Sequence, residues 1–157
     1  MNNINIQVMS RMAASEYCLR RHSEESAIIS IATPYIDYKY NRIFGDQQNN
    51  VTDILRLSFM DADAPGKDDV YGTFTTEQDL MSDEDAKNVV AFVEKNKDKK
   101  IIVHCDGGIS RSSAVVAAIL KFYTGDDSSI FDNHRYSPNM WVYRKVLGEF
   151  VNEMENS

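Results

Sequence analysis

Only two cysteines, Cys18 and Cys105, occur in 157 residues. That is too few for a disulfide framework, and it suits a reducing compartment. No apolar run approaches the ~18 residues that a membrane-spanning helix requires. The opening MNNINIQVMSR lacks the basic start and apolar block of a secretory signal. A cytoplasmic location is therefore the expectation. Positive charge is scarce as well: 17 Lys and Arg stand against 24 Asp and Glu, for a net charge of −7. A sequence-independent grip on nucleic acid or anionic lipid relies on clustered Lys and Arg, so neither nucleic acid nor membrane is expected as a partner. A small phosphate site remains open, because positive potential can be concentrated in one pocket of an acidic protein. Internal repeats and low-complexity tracts are absent too, and the length fits one domain spanning 1–157.

What is present reads as strands alternating with helices. Short apolar runs at 4–8, 27–32, 54–59 and 101–104 predict strands. A helix is expected over 11–21, and the clearest one over 82–96. There Ala86, Val89, Val90 and Val93 recur at the spacing of one buried face, with Ser82 as N-cap and Asp83, Glu84 and Asp85 at the positive start. Residues 112–123 are apolar nearly all round, the mark of a helix buried centrally. A last helix is expected from Pro138, following Ser137, to 154, although Gly148 inside it costs about 1 kcal/mol relative to Ala. The expected fold class is α/β, with a mostly parallel central sheet flanked by helices. Stretches 34–50 and 61–81 read as long loops, which in compact domains are often functional.

The stretch that carries chemistry is IIVHCDGGISRSS, residues 101–113. An apolar strand passes through a glycine-bearing loop into a helix. Ligands of open α/β sheets bind at the carboxyl ends of strands, and a helix start there offers free N–H groups to an anion. Gly107 and Gly108 let the backbone curl into a nest of N–H groups. Cys105 sits at the rim, where the same field would stabilise a thiolate and lower its pKa. Arg111, six residues on, can fold back and offer its planar fork to two phosphate oxygens. Ser112 can hydrogen-bond the Cys105 sulfur.

HCDGGISRS, residues 104–112, resembles the His-Cys-five-residues-Arg-Ser/Thr signature of the protein tyrosine phosphatase superfamily, in its compact dual-specificity-like branch. It is also similar to bacterial and phage-type phosphatase-like proteins in which a strand ending in Phe-x-Asp precedes the signature. The resemblance implies a phosphate-binding loop of Cys105, Asp106, Gly107, Gly108, Ile109, Ser110 and Arg111 between strand and helix. By it Cys105 is the nucleophile, Arg111 the phosphate clamp and Ser112 an aid to hydrolysis of a cysteinyl-phosphate intermediate. His104 would orient the loop and support the thiolate. The general acid matches Asp61 in LRLSFMDAD, with Asp63 the alternative and Asp68 and Asp69 behind them; apart from that role, the acids from Asp61 to Asp85 read as a solvated face. The implied substrate is a phosphorylated protein or peptide, with no cofactor and no metal.

Other readings keep part of this chemistry. A phosphoinositide or an RNA 5′ end could replace the protein substrate, although the loop carries Asp106 and no Lys. Sulfur transfer in a rhodanese-like domain also uses a cysteine on an anion-binding loop. A phosphopeptide-binding pseudophosphatase would have the pocket without a working acid. Cys18 reads as a semi-buried helix cysteine rather than a disulfide partner for Cys105. His22 and His134 read as surface residues, Trp141 as a packing residue, and Arg135 and Tyr136 as candidates to shape substrate entry.

Overall fold

A computed structural model describes residues 3–36, 38, 49–69 and 72–156. The expected loop at 34–50 falls mostly outside these residues. The elements in chain order are β1 (Ile6–Met9), α1 (Arg11–Leu19), β2 (Ser26–Ala32), β3 (Val51–Ser58), α2 (Asp83–Asn96), β4 (Lys100–His104), α3 (Arg111–Thr124), α4 (Ser128–Phe131) and α5 (Met140–Glu155). The four strands form one parallel sheet in the order β1-β4-β2-β3. The α/β reading is correct. Strands β4 and β2 are central and read as continuous apolar runs because helices cover both faces.

Side chains alternate between those faces. Ile28 and Ile102 pack with Ala14 and Cys18 of α1 on one side. Ile29, Ile31, Ile101 and Val103 pack on the other with Val89, Val90 and Val93 of α2, the start of α3, and Val142, Val146 and Phe150 of α5. Helix α3 is buried without a break from Arg111 to Ile119, as its all-round apolar sequence predicts. Helix α2 begins at Ser82 with a capping box, in which Ser82 Oγ accepts from Asp85 N and Asp85 Oδ2 from Ser82 N.

Several boundaries differ from expectation. β1 runs over Ile6–Met9 rather than 4–8, because its pairing with β4 sets its extent: Ile6 faces Ile101 and Met9 faces His104. α1 stops at Leu19, where Arg20 turns to extended backbone. α5 starts two residues later than expected, on an Asn139 N-cap whose Oδ1 accepts from Val142 N at 3.1 Å. Gly148 does not interrupt it; a Cβ there would meet nothing within 4 Å, so that position opens to solvent. The short α4 has too few residues to leave a periodic signal. Within 61–81 the described residues are also more ordered than a plain loop. Lys67 and Thr75 pair through Thr75 N to Lys67 O at 2.9 Å, and a 3-10 turn spans Glu77–Asp79. Among the described residues no helix is long and apolar enough to cross a membrane.

Candidate active site

All four strands deliver their carboxyl ends to one edge, with His104 level with Met9 of β1 and Ser30 of β2. From there 105–110 curl into α3. The hydrogen bonding of this loop is asymmetric. Several of its carbonyls are occupied: Asp106 O accepts from Arg11 N at 3.2 Å, Ile109 O from Ser137 N at 3.0 Å and Ser113 Oγ at 2.6 Å, and Ser110 O from Asn139 N at 3.1 Å. Among the described residues no protein acceptor takes the N–H groups of Gly107, Gly108, Ile109 or Ser110. Backbone donors unpaired on one side of a strand–helix junction are what an anion site consists of.

Of the two glycines, only Gly108 takes the left-handed conformation, at φ +71°; Gly107 does not. Gly108 also lies so close to the β1–α1 corner that an added Cβ would sit 2.8 Å from Ser10 N and 2.9 Å from Met9 O. Gly108→Ala should therefore cost about 1–3 kcal/mol from backbone strain alone, with the collision added. Denaturant unfolding should show that loss, and calorimetry with tungstate should show weaker oxyanion binding. An Ala variant that matches wild type in both would remove the close approach as a requirement.

Cys105 is 3% exposed, and its Sγ lies 3.1 Å from Ser112 Oγ. Arg111 is 1% exposed. Its Nη1 donates to Phe59 O at 2.7 Å and Ala32 O at 3.3 Å, and its Nη2 to Asp106 Oδ2 at 3.1 Å. Its Nε is buried without a hydrogen bond. Nε–H and one of the two Nη2–H groups therefore remain as donors.

His104 is fully buried between Ser30 Oγ, 2.7 Å from Nε2, and Cys105 O, 3.1 Å from Nδ1. A carbonyl can only accept, so Nδ1 carries the proton and Nε2 accepts from Ser30. Burial lowers its pKa to about 4. His104 thus braces the loop against β2, and burial disfavours its charged form.

Asp61 lies three residues past the end of β3, tied in place where Met60 N donates to Asp79 O at 2.7 Å. It is 8% exposed. Oδ1 accepts from Ser110 Oγ at 2.9 Å and from Asn139 Nδ2 at 2.8 Å, while Oδ2 lies 4.0 Å from Arg111 Nε. Asp63, two residues on, is exposed and pairs with Lys67. Asp68 is exposed, and Asp69 is buried with its Oδ1 accepting from Thr73 N, a turn contact. The expectation of a solvated acidic face fails at both Asp61 and Asp69, which the fold buries. Asn139 was not foreseen. It caps α5, donates to Asp61 and Ala62 O, and holds Ser110 O through its own N–H. A small polar residue after Ser-Pro at a helix start was the only available signal.

The remaining candidates sort as follows. Cys18 is buried in the α1-side core, away from the Cys105 face, and burial raises its thiol to about 11. His134 is exposed, but His22 is half-buried and stacks on Tyr17 with ring centroids 3.6 Å apart. Trp141 donates from Nε1 to Met81 O, a packing role. Arg135 and Tyr136 line a groove with Gly107, Gly108 and Ile109, beside the loop. Among the described residues no three His, Cys, Asp or Glu side chains gather into a metal-holding group.

No protein-family model matches the sequence, and no curated protein matches it. Solved structures match in fold. DUSP15 superposes with a TM-score of 0.63 at 15% identity, over 99% of this chain and 94% of that one. PTPMT1 gives 0.61 at 15% identity over 98% and 96%, and PTPMT1 in complex with PI(5)P gives 0.58 at 17% identity over 97% and 93%. The chain shares its fold with DUSP15 and PTPMT1.

Proposed function

We propose that this chain is a cysteine-dependent phosphatase that hydrolyses phosphomonoesters, with phosphotyrosine in proteins as the leading substrate class and phosphoserine or phosphothreonine as further ones. One observation carries the reading: the N–H donors of the 107–110 loop and the buried Arg111 Nε have no hydrogen-bond acceptor among the described residues, in the loop that follows Cys105. A phosphoryl group satisfies both sets, and it then faces the nucleophile.

In this reading the Cys105 thiolate attacks phosphorus as the ester P–O bond breaks. The loop N–H groups and Arg111 hold the equatorial oxygens, where transition-state charge accumulates. Because two donors occupy Asp61 Oδ1, the proton given to the leaving oxygen sits on Oδ2, the oxygen nearer Arg111. Water then attacks the cysteinyl phosphate and the Asp61 carboxylate takes its proton. Ser112 Oγ donates to the departing Sγ. Phosphate leaves and the enzyme is restored.

The test is a leaving-group series on wild type, Asp61→Asn and Asp63→Asn. Asp61→Asn should lower kcat about 100-fold for phosphotyrosine peptide, within the usual range for an acid catalyst, and far less for an activated aryl phosphate. The basic limb of its pH–rate profile should flatten. If only Asp63→Asn shows this dependence, the acid moves two residues along. If wild type transfers sulfur from thiosulfate and hydrolyses no phosphate ester, the phosphatase reading fails. PI(5)P belongs among the substrates tested, since PTPMT1, similar in fold, was solved with it. Turnover of PI(5)P above that of every phosphopeptide would move the substrate class to lipid.

A further inference from the structure

Asp106 is acidic and lies inside an anion-binding loop, next to the nucleophile. Its side chain is engaged elsewhere. Oδ2 accepts from Arg111 Nη2 at 3.1 Å, Thr33 Oγ1 at 2.9 Å and Tyr38 OH at 3.1 Å. Oδ1 lies 3.5 Å from Arg11 Nε. Arg11 opens α1 and is only 9% exposed. Its Nη2 donates to Ile31 O at 3.3 Å, and its guanidinium lies 3.7 Å from the centroid of the Tyr38 ring. The main chain repeats the link, with Arg11 N donating to Asp106 O. A cation–anion–cation row therefore joins α1, the loop and the first residue of α3.

Burying two guanidiniums is costly, and a buried ion row is better explained by the geometry it holds than by net stability. Here the geometry is that of Arg111. Two carbonyls hold Nη1 and Asp106 holds one Nη2–H, so the guanidinium plane is set and its Nε edge is what remains. Without the carboxylate, Nη2 loses its anchor. Arg11 and Arg111 would then be like charges with no anion between them.

We infer that Asp106 and Arg11 are a positioning pair for Arg111, fixing its guanidinium so that the Nε edge faces the phosphoryl site before substrate arrives. The inference rests on the reading of Arg111 as the phosphate clamp. The alternative role for an acid in this loop, damping anion affinity, predicts the opposite sign.

The experiment uses wild type, Asp106→Asn, Arg11→Met, the double variant and Thr33→Val, which removes one outer hydrogen bond to Asp106 at unchanged charge. Tungstate affinity by calorimetry is measured beside kcat and KM for p-nitrophenyl phosphate, with melting curves as the folding check. D106N should weaken tungstate binding and lower kcat by about tenfold or more each. The double variant should lose less than the product of the single losses, because removing Arg11 removes the cation that D106N leaves unpaired. T33V should show a smaller loss of the same sign while melting like wild type, and it decides the matter should D106N not fold. D106N or T33V binding tungstate as tightly as wild type, or more tightly, overturns the inference, as do losses that merely track the melting temperature. If wild type binds tungstate but turns over no ester, the phosphatase reading fails while the tungstate series still decides the pair. If wild type binds no tungstate, both fall.

Discussion

Cys105→Ser is expected to reduce turnover of any phosphate ester by at least about a thousandfold, or ~4 kcal/mol of transition-state stabilisation. The side chain is buried and differs from serine by one atom, so the fold should persist. In the proposed site the loop N–H groups and Arg111 hold the anion, so tungstate should still bind. What is lost is ionisation: an alcohol is far less ionised than a thiol, and in the proposed mechanism the thiolate is the attacking species. Acid quenching of wild type during turnover should trap a covalent phosphoenzyme that the Ser variant does not form. Hydrolysis by that variant within about tenfold of wild type would remove Cys105 as nucleophile.

Arg111→Lys should lose at least about a hundredfold in kcat/KM although the charge is kept. A lysine ammonium is a point charge on a flexible stem and cannot present two parallel N–H groups. It also cannot serve Phe59 O, Ala32 O and Asp106 Oδ2 together, as the guanidinium does. Stability should therefore drop too, by about 1–3 kcal/mol for a buried acceptor left unpaired. Steady-state kinetics and denaturant unfolding check the two parts separately. Unchanged kcat and KM would sink the clamp, whatever happens to stability.

The two residues with the largest expected effects are also those most legible in the sequence, and the reason is local. Strand, loop and helix from 101 to 113 are contiguous, so the Cys105–Arg111 offset and the helix start that follows can be read directly. Helix α2 is legible for a similar reason, since its Ser82 cap and its buried face are local to one stretch of chain. Element ends were less legible. The start of β1 depends on where β4 pairs, and the start of α5 on where Asn139 meets Asp61.

By itself, then, the sequence determined the α/β alternation and the strand–loop–helix that carries Cys105 and Arg111, because period, capping and a six-residue spacing act over one or two turns of chain. Only the tertiary structure decided which acid lies beside Arg111. Asp61 and Asp63 are two residues apart on one segment, yet Asp61 turns inward to Ser110 and Asn139, while Asp63 turns out to Lys67. The same holds for Arg11, 95 positions before Asp106 in the chain and joined to it by charge across the sheet edge. Such contacts depend on how strands stack and helices cross, and burial then sets their strength; no local pattern encodes either.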